Sequence, residues 1–267
     1  MDEYFNGIIN RLFSGTLTDP IEWAIVIVAC LILVVALFSI VISIWLAIKY
    51  IKYNRTENEA GITGYDAARK ILDQNGLQDI RVKVTGSILF GNSYSHYFRK
   101  VRLRRFTQKK TSVSSLAMGA QKSCLAILDK EGDPDMRARV IFTPIQIFGP
   151  FAFFPLLILG LILDFIILST IGLFTVICAV IGLVIFLSSF ILSILTLKTE
   201  KKAQAKAYEI MRANGLATES ELEDMKALFK LYNIEYINNI ILATLEIIFK
   251  ILLIIGRSNS SSSSSNN

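Results

Sequence analysis

The conventional metal ligands and proton carriers are few in this chain of 267 residues: one histidine, His96, and three cysteines, Cys30, Cys124 and Cys178, beside its carboxylates. Imidazole is the commonest zinc ligand and general base, and one copy cannot build a site that needs two or three. The cysteines show no paired or metal-type spacing, which excludes a disulfide framework and a cysteine-rich zinc module. His96, Cys124 and Glu200 would have to converge from three separate elements to act as N, S and O ligands, and no local spacing supports that. Glu200 reads better as a juxtamembrane carboxylate beside Lys201, and Cys124 as a small core residue. A second kind of chemistry is electrostatic. Arg99 to Lys110 carries seven Lys and Arg in twelve residues. As a strand this segment puts Lys100, Arg102 and Arg104 on one face, which suits anionic lipid headgroups or a plain solvated face. Nucleic acid would want interleaved aromatic residues, and only Tyr97, Phe98 and Phe106 are near, so no nucleic-acid partner is expected.

The elements that must position these groups follow from hydropathy. With 53% hydrophobic residues and a mean hydropathy of +0.52, the chain is too apolar for an ordinary soluble domain, yet 19% of it is charged, so the apolar residues must cluster in blocks. Residues 21–48 exceed the roughly 30 Å a bilayer core requires, and the acidic residues before them, with a run too long for a signal peptide, make this an anchor. Residues 145–168 and 171–197 form two further spans, a hairpin punctuated at Ser169 to Gly172. Its one charge, Asp164, is a rim residue or, less favoured, an intramembrane functional carboxylate. Residues 236–256 carry Glu246 and Lys250 as an i,i+4 pair and read as a fourth span in preference to an interfacial helix. The Ser and Asn tract at 257–267 should be disordered. A transporter or channel would need more paired intramembrane charge or broken-helix signals than these.

Between Lys49 and Arg139 there are eighteen Lys and Arg against nine Asp and Glu, whereas residues 1–20 and the hairpin turn hold one cation between them. Positive-inside places residues 49–144 and 198–235 in the cytoplasm of a multi-pass cell-membrane protein, with residues 1–20 and the other terminus outside.

In the long loop, Thr63 caps a helix to about Asn75 (Tyr65, Ala68, Ile71 and Leu72 on one face), which Gly76 stops. Strands are expected at Ile80 to Val84 and Phe98 to Arg105 around a Gly and Ser-rich connection at Gly86 to Ser95. A second helix runs over Ser112 to Leu128, with Val113, Leu116, Ala120, Cys124 and Ile127 at helical spacing. Lys198 to about Asn214 is a third, and Thr218 with Glu221 opens a fourth through a capping box. Helix, small strands and helix ahead of a membrane hairpin is a zincin-like order, in which an H-E-x-x-H helix would supply two ligands and a base. Ser112 to Leu128 contains neither histidine nor glutamate.

The sequence resembles the bacterial membrane-bound neutral zinc metallopeptidases, the YugP-like family. Gly64-Tyr65-Asp66-Ala67-Ala68-Arg69-Lys70-Ile71-Leu72-Asp73-Gln74-Asn75-Gly76-Leu77 is similar to that family's G-x-x-x-A-R-x-I-L-D-x-N-G-L stretch. The segment from Asn92 to Arg104 resembles its D-H-Y-D-P-x-x-x-x-V-R-L-S strand, with His96 at the proline position. Ser112 to Leu128 resembles its S-V-A-A-L-G-V-A-A-H-E-V-G-H-A-I-Q helix. The resemblance implies zinc ligands at Gln121 and Leu125, a general base at Lys122 and a glycine at Cys124, so every catalytic position is changed. Leu197 to Ala203 is similar to L-P-V-E-F-D/N-A, which makes Glu200 the surviving third ligand and leaves Lys202 where an acid or amide is expected.

The expected protein is therefore an α-helical multi-pass membrane protein of about four transmembrane helices with a cytoplasmic zincin-like α+β domain. Its catalytic positions Gln121, Lys122 and Leu125 are degenerate, and no cofactor is expected where the intact family would hold zinc. The expected role is a catalytically inactive binding or scaffold protein whose partners are membrane lipids and another membrane protein or peptide segment. The alternative is an active zinc metallopeptidase with a non-standard site.

Overall fold

The computed structural model describes residues 3–85, 91–167 and 172–264. The connection at 86–90, the hairpin turn at 168–171 and the end of the tail at 265–267 lie outside the described residues. Contacts divide the chain into two compact units.

The first unit takes in the chain up to Trp45 and from Ile234 onward. It opens with a helix that composition had left as plain N-terminus, α1 (Glu3–Phe13). Tyr4, Phe5, Ile8 and Leu12 recur on one face of α1, and they pack with Leu17, Ile21 and Ile25 and with Phe249, Leu252 and Leu253. Glu22, 8% exposed, accepts from both Arg11 and Tyr4. The first span belongs to α2 (Pro20–Arg55) and the last to α8 (Glu219–Ser264). Within this unit Glu235 accepts from Ser43 Oγ at 3.2 Å and Asn238 pairs with Ser39, polar contacts between apolar helices. The expected Glu246–Lys250 pair does not form: both side chains are exposed on α8, and no ion pair among the described residues joins them. Helix α8 is described as far as Ser264, through most of the Ser and Asn tract.

The second unit, Leu46–Asn233, holds the water-facing elements and the hairpin. Helix α3 (Gly64–Gln74) starts at Thr63 in a capping box with Asp66, and Gly76 at φ 66° ends it. Ala67, Ala68, Ile71 and Leu72 are buried, while Tyr65 is half-buried. Strands β1 (Arg81–Thr85), β2 (Ser93–Ser95) and β3 (Lys100–Arg104) form one sheet in the order β1-β3-β2, with β1 parallel and β2 antiparallel to β3. The connection expected as Gly and Ser-rich loop thus contains a third strand: Ser93 to Ser95 has no β-branched residue, and its pairing with Arg102, Val101 and Lys100 is a tertiary gain. A single turn of helix, α4 (Arg105–Lys109), follows.

Helix α5 (Val113–Lys130) is buried on every side from Val113 to Leu128, not on one apolar face. It packs against α3, α4, the sheet and α7 (Leu173–Ala213). The approach to α3 depends on glycine: a Cβ on Gly64 would lie 2.1 Å from the Thr107 carbonyl oxygen, and one on Gly119 would lie 2.3 Å from the Gly64 carbonyl oxygen.

Helix α6 (Pro134–Ile167) and α7 form the hairpin, closed by reciprocal Gln146–Thr196 hydrogen bonds of 2.7 and 3.0 Å. The helix that holds the expected second span is bent by 64° between Gly149 and Phe151. Pro150 sits at the break and has no N–H to give the preceding turn. Among the described residues three helices are long and apolar enough to cross a membrane, or four if the bent pair counts as one span. The expected separate helix at Lys198 is the continuation of the third span in α7, since nothing between Leu197 and Lys198 breaks a helix.

Asp164, read from the sequence as a rim residue in preference to an intramembrane functional carboxylate, has a local structural role. It is fully buried and caps α7, accepting from the backbone of Gly172, Phe174 and Thr175 at 2.9, 3.0 and 2.8 Å and from Thr175 Oγ1 at 2.5 Å.

Candidate functional site

The C-terminal half of α5 and the part of α7 beyond its apolar run meet at Glu200. Ser112 caps α5 through the Ser115 N–H, and Asn58, 4% exposed, ties the preceding chain to Ile62 and Thr111. That register turns Gln121 and Lys122 toward α7. Gln121 Nε2 donates to Glu200 Oε2 at 2.8 Å and Lys122 Nζ donates to the same oxygen at 2.7 Å. From α6, Arg139 Nη2 donates to Glu200 Oε1 at 3.0 Å and Arg139 Nη1 to Thr199 Oγ1 at 2.7 Å. Both carboxylate oxygens are taken. Burial alone would push the Glu200 carboxyl up, but Lys122 and Arg139 outweigh it and hold the carboxyl below its ordinary value.

Three lysines one turn apart on α7 extend the lock. Lys198 reaches Asp135, Lys202 reaches Asp133 and Asp135, and Lys206 reaches Glu131. Partial burial opposes ionisation of Asp133, yet Lys202 and the Met136 N–H together lower its carboxyl. Lys202 is therefore bound to Asp133 just before α6 and to Asp135 in its first turn.

The other candidate residues lie apart from this cluster. Leu125 is 1% exposed in the apolar core. Burial pushes the Cys124 thiol up to about 12, as befits a core residue. His96 Nδ1 contacts Asp129 Oδ2 at 2.6 Å, and Tyr94 Oη donates to the same oxygen at 2.6 Å. Burial and Asp129 raise the Tyr94 phenol. Lys100, Arg102 and Arg104 share the outer face of β3, opposite the buried Val101 and Leu103. Sequence reasoning missed Arg139, whose role depends on the fold. It also missed the lysine row, although Lys198, Lys202 and Lys206 opposite carboxylates at every second position from 129 to 135 are a visible charge pattern.

Zinc needs three lone-pair donors at about 2.0–2.3 Å. Gln121 offers only a weakly ligating amide oxygen and its Nε2 donates to Glu200, Leu125 has no ligating atom, and two cations surround the one anionic ligand. Among the described residues no three His, Cys, Asp or Glu side chains gather to hold a metal. The residues present do not fit the ion.

A family model described as "Putative neutral zinc metallopeptidase" matches residues 28–255. The curated "Putative membrane protease YugP" of Bacillus subtilis (strain 168) is 26% identical over 209 residues, covering 77% of this chain and 87% of that protein. No solved structure matches the chain. The match covers most of the chain, and the chain belongs to this family of neutral zinc metallopeptidases.

Proposed function

We propose that this member of the family is catalytically inactive and serves as a membrane-embedded scaffold or binding protein, with a zincin-like cytoplasmic domain. The observation that carries the reading is the Lys122 ammonium on Glu200. Lys122 and Arg139 together bring two unit charges to one carboxylate, the charge a divalent ion would bring, so Glu200 keeps a counter-charge without a metal. A lysine at this position cannot accept a proton from water as the expected glutamate would. Gln121 is 4% exposed and Lys122 9%, so the remnant centre is packed shut and a partner would dock elsewhere. The flanks of the spans, where Phe148, Phe151 and Phe165 are exposed, suit another membrane protein or an apolar segment.

The rival is an active zinc peptidase, which the family match favours. Elemental analysis of the purified full chain separates the two. We expect no stoichiometric zinc and no chelator-sensitive hydrolysis of an unfolded peptide; finding either one would overturn the inactive reading. The combined variant Gln121→His, Lys122→Glu, Cys124→Gly and Leu125→His should bind zinc through Glu200. Adding Arg139→Ala should tighten that binding by roughly 10 to 100-fold, the range of groups that orient or block a ligand, and Glu200→Ala should abolish it. A folded five-residue variant without zinc would refute the assignment of these positions.

A further inference from the structure

The outer face of the sheet is a cationic patch wider than β3 alone. In the parallel register Arg81 lies beside Lys100 and Lys83 beside Arg102, so four cations from two adjacent strands share one face. Among the described residues none of the four joins an ion pair, whereas Arg99 next to them is paired with Asp79. Partial desolvation, followed by repulsion from Arg102, Lys83 and Arg81, lowers the Lys100 ammonium. Unmatched cations held side by side are a standing electrostatic cost unless an anion covers them.

The turn before β3 adds an apolar tip. Phe98 is 65% exposed, with Lys100 Nζ 4.5 Å and the Arg102 guanidinium carbon 5.7 Å from its ring centre. Its neighbour Tyr97 donates from Oη to the Val140 carbonyl at 3.1 Å. Val140 lies where α6 passes from charged residues (Asp135, Arg137, Arg139) to the exposed apolar Ile141, Phe142, Ile147 and Phe148, the level at which a span enters the bilayer. The Tyr97–Phe98 turn is thereby fixed at the membrane boundary, with the cations next to it.

We propose that Arg81, Lys83, Lys100 and Arg102 bind the anionic phosphates of the adjoining bilayer surface while Phe98 inserts among the acyl chains. Charge complementarity and the Tyr97–Val140 bond favour lipid over nucleic acid, which would want rings interleaved with the cations, whereas the exposed Tyr97 and Phe98 sit together in the turn before β3. The inference stands apart from whether the family's zinc chemistry is lost.

The test uses the full chain with Trp23→Phe, Trp45→Phe and Phe98→Trp, which leaves one indole. It is reconstituted in vesicles of phosphatidylcholine bearing brominated acyl chains, with or without phosphatidylglycerol at about one lipid in three. We expect bromine quenching at position 98 that strengthens with phosphatidylglycerol. Replacing the four cations by Gln should abolish the increment, and salt should screen it as the Debye length shrinks from about 10 Å to about 3 Å between 0.1 and 1 M. Circular dichroism of the Gln variant checks that it is folded. In detergent, the Gln variant should bind phosphatidylglycerol on the order of a hundredfold more weakly than its parent. Quenching that is absent, or equal in both lipid mixtures, would overturn the proposal. So would protection of position 98 by a single-stranded oligonucleotide with no effect of phosphatidylglycerol.

Discussion

Lys122 Nζ lies 2.7 Å from Glu200 Oε2 and joins α5 to α7 where the two side chains are 11% and 18% exposed. Lys122→Met should therefore destabilise the protein by about 2 kcal/mol, less than a fully broken buried pair because Arg139 and Gln121 stay on Glu200. Lys122→Glu alone should cost more, about 3–5 kcal/mol, since it sets two carboxylates together. The Glu200 carboxyl is lowered from 4.5, so its contribution is present above that pH and is lost as pH falls through the lower folded value. Thermal unfolding in detergent at neutral and acidic pH should show this acid loss shrinking in Lys122→Met.

The Asp164 cap predicts that Asp164→Ala destabilises the hairpin by about 2 kcal/mol, leaving three backbone N–H groups without their acceptor in an apolar setting. Asp164→Asn keeps a carbonyl acceptor and should lose less. Melting temperatures of the two variants, compared in one detergent, check the order; equal losses would remove the cap as the reason for this carboxylate.

Gly64→Ala drives a methyl into the Thr107 carbonyl oxygen, a backbone atom that cannot swing away. A destabilisation of about 3 kcal/mol or more is expected. At Gly91 the nearest atom to an added Cβ is the flexible Arg104 Nη2 at 3.6 Å, so Gly91→Ala should be close to neutral. Unfolding midpoints of both variants decide whether the α3 to α5 approach holds this unit together.

The orientation argued from Lys and Arg content is tested by single cysteines in a chain whose Cys30, Cys124 and Cys178 are replaced by serine. A membrane-impermeant thiol reagent applied to intact cells should modify Phe13→Cys, on the exposed end of α1, and leave Lys70→Cys, exposed on α3, untouched until the cells are opened. The opposite pattern would invert the topology.

Local physics alone determined much of this protein. The apolar blocks, the Thr63 and Thr218 capping boxes, the Gly76 stop and the Ser112 cap are set by residue type and spacing. Such signals act within one or two turns of chain, so they survive any tertiary arrangement. The identity of what fills the remnant centre was a matter for tertiary structure, because Arg139 reaches Glu200 across 61 residues and Gln121 across 79. The same holds for β2, which exists only through its partner strand, and for Asp164, whose N–H donors lie across the hairpin turn. Amphipathic α1 lies between these cases: its apolar period was legible, but a helix of 11 residues becomes stable only where Phe249, Leu252 and Leu253 cover its face.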